Sequence, residues 1–226
     1  MRDPDNISRA TTVSRPAPVD ARERAAKGQA LPAPFGDRAA FLRGFLQHPG
    51  RVGSVIPSSA RLEQKLVRCT RAADAAVVVE LGPGTGGTTR ALLAAMPATA
   101  RLLAIELEPA FHARLNAGIR DPRLTVHLGN AEQLGQALAA YGLPPPDVVV
   151  SGIPFSTLSP ATADRIAASI TSALAPGGRF VAYQVRAHVA RYATPYLGAP
   201  QRSWEWFNIP PLRVFTWTRS TWVGAG

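Results

Sequence analysis

Between Ala75 and Tyr183 the chain alternates short apolar runs with longer stretches of helical period, and this alternation constrains the fold more than any other feature. The runs are Ala76–Val79, Leu102–Ile105, Leu124–Leu128, Val148–Val150 and Phe180–Tyr183. The first four are continuously apolar or nearly so, the composition of strands covered on both faces, as in a parallel sheet. Helical patterns lie between them, near residues 88–96, 109–119, 131–141 and 160–174. Parallel neighbours need crossover connections of that length. The alternation therefore predicts an α/β chain with a doubly wound, mostly parallel sheet. Further on, Trp204, Trp206, Phe207, Phe215, Trp217 and Trp222 cluster around Asn208-Ile-Pro-Pro211. Two strands joined by a Pro-containing turn fit this segment, and they would add an antiparallel C-terminal edge hairpin.

A length of 226 residues suits one such domain with an extension. Residues 1–34 are rich in Arg, Ala, Pro and Asp without an apolar period and are expected to be a disordered basic leader. Residues 35–48 read as a short basic amphipathic helix: Phe41, Leu42, Phe45 and Leu46 recur at helical spacing, Arg38 and Arg43 lie elsewhere on the wheel, and Pro49-Gly50 ends it. Its apolar stripe would either cover the core or lie on a membrane surface. Ser58 or Ser59 would cap a further helix running to about Thr70. These helices make 35–70 an N-terminal helical extension, a lid or a membrane-docking element, to a main domain over 71–226.

Composition excludes several classes. No stretch approaches the roughly 18 apolar residues needed to cross a bilayer, and no secretory signal pattern opens the chain. A single cysteine, Cys69, forms neither an internal disulfide nor a cysteine metal cluster, so no metal is expected and the expected location is cytoplasmic. The net charge of +10 is unevenly placed: about +7 over residues 1–73, −2 over 74–178 and +5 over 179–226. Basic flanks around a mildly acidic centre attract polyanions, either nucleic acid or an anionic membrane.

The strongest local motif is Val79-Glu80-Leu81-Gly82-Pro83-Gly84-Thr85-Gly86-Gly87, placed after the first strand and before a helix. Glycines at alternate positions let the backbone turn sharply and approach a nucleotide-like ligand. Gly82, Gly84 and Gly87 also satisfy G-x-G-x-x-G, the dinucleotide spacing. Glu80 would repel a pyrophosphate but attract the ammonium of an amino-acid moiety and partly offset a sulfonium, which favours S-adenosylmethionine. Glu106, twenty residues after Gly86, sits where an acidic side chain accepts from ribose hydroxyls of either cofactor type. Asn130-Ala131, past the third strand, would meet the adenine edge, although Asn130 could equally cap a helix. The fourth strand runs into Ser151-Gly152-Ile153-Pro154-Phe155, a rigid loop at the sheet's carboxyl edge whose carbonyls and aromatic ring could hold an amine.

Glu80-x-Gly-x-Gly-x-Gly86, Glu106, Asn130-Ala131, Ser151-Gly-Ile-Pro154 and Leu174-Ala-Pro-Gly-Gly178, in this order, resemble the class I S-adenosylmethionine-dependent methyltransferases over about residues 70–220. Gly53-Ser-Val-Ile-Pro-Ser-Ser59 and Phe207-Asn-Ile-Pro-Pro-Leu-Arg-Val-Phe215 are similar to segments of bacterial phospholipid N-methyltransferases. The resemblance implies a Rossmann-like sheet. It also implies methylation of the amine of phosphatidylethanolamine or a related aminolipid, such as an ornithine lipid, by an enzyme that docks peripherally on the membrane through residues 35–48. The motifs are also similar to those of ribosomal RNA adenine dimethylases, but Ser151 and the extra Gly152 depart from their Asn-Leu/Ile-Pro-Tyr/Phe pattern, and no helical RNA-binding domain is seen after Arg219.

For the chemistry, Ser151, Ile153, Pro154, Phe155 and Tyr183 are the expected acceptor-side residues. Tyr183, His188 and the loop carbonyls are candidate proton acceptors, and Phe155 or Tyr183 could hold a cationic amine face-on. Arg186, Arg191, Arg202 and Arg213 are candidates to clamp a lipid phosphate. Glu80, Gly82, Gly84, Gly86, Glu106, Asn130 and Ala131 are the expected cofactor side. The alternatives are an rRNA adenine N6-methyltransferase-like enzyme, a small-molecule methyltransferase and a noncatalytic nucleotide-binding module.

Overall fold

A computed structural model describes residues 59–208 and 210–221. The expected leader, the helix over 35–48 and Trp222 lie outside the described residues.

Helix α1 spans Ala60–Thr70 and is capped by Ser59, whose Oγ accepts from the Leu62 amide at 3.2 Å. Strand β1 (Val77–Leu81) leads through the glycine loop into α2 (Gly87–Ala95). Strand β2 (Arg101–Glu106), α3 (Pro109–Gly118), β3 (Leu124–Leu128) and α4 (Leu134–Ala140) follow. The chain continues through β4 (Val148–Ser151), α5 (Pro160–Ala173), β5 (Arg179–Gln184), α6 (His188–Leu197), β6 (Gln201–Glu205) and β7 (Leu212–Thr218). They form one seven-stranded sheet in the order β3-β2-β1-β4-β5-β7-β6. The five strands β1 to β5 are parallel to one another, and β7 runs antiparallel to both β5 and β6.

Alternate residues of the central strands feed two cores. Val79, Leu81 and Val149 join Leu134 of α4, Ile166 and Ile170 of α5 and Val189 of α6. Val78, Val148 and Val150 meet Leu62 and Leu66 of α1 and Leu92 and Leu93 of α2 on the other face. Strands covered in this way are buried along their length, as continuous apolar runs require. Strand β3 differs. It lies at the sheet's edge and is only half-buried, because its Thr125 and His127 alternate with apolar residues and it has one neighbour. In the C-terminal hairpin the later strand, β7, takes the inner place beside β5, burying Trp217 stacked on Phe180 with ring centroids 5.1 Å apart.

The strand order reverses between β1 and β4, since the chain builds outward through β2 and β3 before returning to β4. Ligands of open α/β sheets bind beyond the carboxyl ends of the strands at such a point. Register aligns Leu81 with Ser151, and Ser151 with Ala182. The glycine loop, the Ser151–Phe155 loop and Tyr183 therefore emerge side by side.

Candidate active site

Gly82, Gly84 and Gly86 all adopt left-handed φ angles, of 71°, 56° and 82°. The loop is pinned by its neighbours: the Gly82 amide donates to the Ile105 carbonyl at 3.0 Å, and the Gly84 amide donates to Glu106 Oε2 at 3.0 Å. At Gly84 a Cβ would meet no atom of the described residues within 4 Å beyond its chain neighbours. That space is open to a ligand approaching the backbone.

Glu80 is 1% exposed. Its Oε2 accepts from the Thr89 hydroxyl at 2.6 Å, while Oε1 is buried with no hydrogen-bond partner among the described residues. Burial pushes its carboxyl up to about 7; the Thr89 bond opposes the rise, and the negative charge of Glu106 adds to it. Glu106 is also raised by burial, against donation from the Glu108 and Gly84 amides. No described Lys or Arg forms an ion pair with either carboxylate. An orphaned carboxylate oxygen and a second buried acid suit a ligand bearing positive charge and N–H donors, the character of an S-adenosylmethionine tail.

Glu106 uses one site on each oxygen for the backbone, Oε1 for Glu108 and Oε2 for Gly84, and each oxygen keeps a further acceptor site. Asn130 caps a short 3-10 turn over Ala131–Gln133, its Oδ1 accepting from the Glu132 amide at 3.0 Å, and Ala131 is buried beneath it. Leu107, which follows Glu106, and Leu128, which pairs with Glu106 across β3, are exposed. Sequence reasoning missed these two apolar residues at the strand ends; a large apolar side chain immediately after the ribose-position acid was the signal.

On the other side of β1 a cavity is lined by Gly152, Pro154, Tyr183, Gln184, Arg186 and Asn208, among others. A Cβ at Gly152 would lie 2.5 Å from Tyr183 Oη and 3.1 Å from the Gly82 carbonyl, so this glycine lets three segments close together. Gln184 is buried and donates to the Ile153 carbonyl at 2.7 Å, which fixes the loop. Ser151 is buried, its Oγ accepting from the Ile153 amide at 3.2 Å. Phe155 packs in the core against Tyr192 and is not among the cavity's lining residues, so of the two aromatic candidates Tyr183 is the one that lines it. The Ile153 and Pro154 carbonyls are already accepting hydrogen bonds.

His188 is exposed and outside the cavity lining; of the four candidate arginines, Arg186 lines it. Arg213 instead lies over the Trp204 ring, 4.5 Å from its centroid. Asn208, noticed in the sequence only as part of a turn, is buried and lines the cavity. Its signal was a polar residue between aromatic and prolyl neighbours.

A family model described as "Methyltransferase domain" matches residues 78–178. The chain is 31% identical over 141 residues to an ornithine lipid N-methyltransferase of Singulisphaera acidiphila, covering 62% of this chain and 73% of that relative. It is 35% identical over 101 residues to ribosomal RNA small subunit methyltransferase A of Phenylobacterium zucineum, covering 44% of this chain but only 33% of that relative. Among solved structures, the N-methyltransferase NodS of Bradyrhizobium japonicum WM9 in complex with S-adenosyl-l-homocysteine superposes with a TM-score of 0.63 at 17% identity, covering 81% of this chain and 99% of that one. Sheet order, glycine loop and relatives agree: the chain belongs to the class I S-adenosylmethionine-dependent methyltransferases.

Proposed function

We propose that this methyltransferase transfers methyl groups to the amine of a membrane aminolipid, phosphatidylethanolamine-like or an ornithine lipid. One observation carries the reading: the acceptor cavity adjoins an exposed aromatic and basic surface. Trp206 is 65% and Phe207 71% exposed, and Asn208, the next residue, lines the cavity. Trp204 and Trp206 stack with centroids 4.8 Å apart, and Arg61 lies 4.0 Å over the Phe207 ring. Exposed tryptophan with arginine is the chemistry of an anionic bilayer interface, where amphipathic rings sit at headgroup level. The identity to an ornithine lipid N-methyltransferase supports the same acceptor class. Contact through residues 35–48 belongs to the same proposal.

S-adenosylmethionine supplies a methyl group activated by its sulfonium charge. Glu80 Oε1 would accept from its ammonium, Glu106 from its ribose hydroxyls, and Asn130 and Ala131 would meet its adenine, with Gly82, Gly84 and Gly86 giving the backbone approach. Tyr183 and the Ser151–Phe155 loop position the amine. Among the described residues the cavity lining holds no carboxylate or imidazole; in this reading the amine sheds its proton to water and the protein contributes mainly alignment.

Sedimentation with vesicles tests the reading. The chain is expected to pellet with anionic phosphatidylethanolamine vesicles at low salt and to be released at high salt. Failure to pellet, with displacement of the chain into an RNA complex, would favour the ribosomal RNA relatives instead.

A further inference from the structure

We propose that the side-chain carbonyl of Asn208 recognises an acceptor amine by its remaining N–H, so that the cavity holds unmethylated and partly methylated amines and releases the fully methylated product. This inference rests on the amine reading above.

Asn208 sits between β6 and β7, is 4% exposed and lines the cavity that Gly152 and Tyr183 also line. Its Nδ2 donates to the Pro210 carbonyl at 3.3 Å. Because that carbonyl can only accept, the amide orientation is fixed and Oδ1 is directed elsewhere. Oδ1 is buried with no hydrogen-bond partner among the described residues. A buried acceptor without a donor is costly, and a ligand N–H relieves that cost.

Two neighbouring carbonyls already accept hydrogen bonds. The Ile153 carbonyl takes Gln184 Nε2 at 2.7 Å, and the Pro154 carbonyl takes both the Thr157 amide at 2.9 Å and the Thr157 hydroxyl at 2.8 Å. Among the described residues no carboxylate lines the cavity to hold a quaternary ammonium by charge alone. Recognition is thus weighted toward a neutral acceptor that requires a hydrogen on the ligand.

The chemistry makes that requirement directional. A primary ammonium brings three N–H donors. In each turnover the neutral amine's lone pair forms the new N–CH3 bond as the methyl–sulfur bond breaks, the sulfonium becomes a thioether, and one proton passes to water. Each methyl therefore removes one N–H. The quaternary product has none and leaves Asn208 Oδ1 unpaired, which favours its departure.

The test uses the full chain with Asn208→Leu, which keeps the size and removes the acceptor, and Asn208→Asp, which keeps an acceptor oxygen and adds charge. Two quantities are compared: KM for an ornithine lipid in detergent micelles, and the calorimetric affinity, without turnover, for its trimethylated form in the presence of S-adenosylhomocysteine. Asn208→Leu is expected to raise KM by about tenfold, with a smaller change in kcat and unchanged affinity for the trimethylated lipid. Asn208→Asp is expected to recover most of the KM loss and to bind the trimethylated lipid more tightly than wild type. Unchanged S-adenosylhomocysteine affinity verifies that the variants fold. A Leu variant that leaves KM unaltered, or weakens amine and trimethylated lipid equally, overturns the role of Asn208. A wild-type chain that methylates neither ornithine lipid nor phosphatidylethanolamine overturns the amine reading itself.

Discussion

Glu80 is a carboxyl whose charge changes in the range where the enzyme would work, because burial raises it to about 7. A raised carboxyl stabilises the fold through its protonated form. That contribution is present below the ordinary carboxylate range and is lost as pH rises through about 7. A cationic ligand tail favours the ionised form and reverses the preference. The groups facing Glu80 are the Thr89 hydroxyl and the Glu106 carboxylate. Calorimetric affinity for S-adenosylmethionine is therefore expected to rise by about tenfold between about pH 6 and pH 8, and Glu80→Gln is expected to weaken binding and flatten that slope. An equal slope in the variant would assign the titration elsewhere. At Gly84 the space beside the backbone is open, so Gly84→Val should strain a left-handed φ by roughly 1–2 kcal/mol yet still fold, while binding no cofactor detectable by calorimetry. The glycine loop and its two acids were legible because they follow one strand and close the next. Asn208 was not, since its meaning depends on β7 returning beside β5 to close a cavity.

At the scale of elements, Gln184 at the end of β5 ties the Ser151–Phe155 loop to the sheet through the Ile153 carbonyl. Gln184→Leu removes the donor to the part-buried Ile153 carbonyl, at a cost of about 1 kcal/mol. It should lower Tm and reduce kcat on the amine while leaving cofactor affinity nearly intact; an equal loss of cofactor binding would show that the two loops are not separable. The central strands could be read from the sequence because burial on both faces imposes continuous apolar runs. The same rule failed at β3, where an edge position needs only partial cover. Helix α6 was obscure for another reason: its buried face is small, Val189, Ala190 and Ala193, and Pro195 lies inside it. The order of β6 and β7 is set by tertiary packing of Trp217 on Phe180, which no local pattern encodes.

For the molecule as a whole, the proposed membrane contact rests on the balance of charge and aromatic exposure. No described helix is long and apolar enough to cross a membrane. The exposed Trp206 and Phe207 directly precede Asn208, which lines the cavity, and Arg61 lies over the Phe207 ring. Replacing Trp206 and Phe207 together by Ser should reduce sedimentation with anionic vesicles several-fold and leave cofactor affinity unchanged. Unaltered sedimentation would move the contact to another surface. The most direct measurement follows labelled methyl groups from S-adenosylmethionine into lipid, RNA and protein fractions of cells expressing the chain. The label is expected in an amine-bearing lipid; label confined to RNA, or to no fraction at all, would contradict the account.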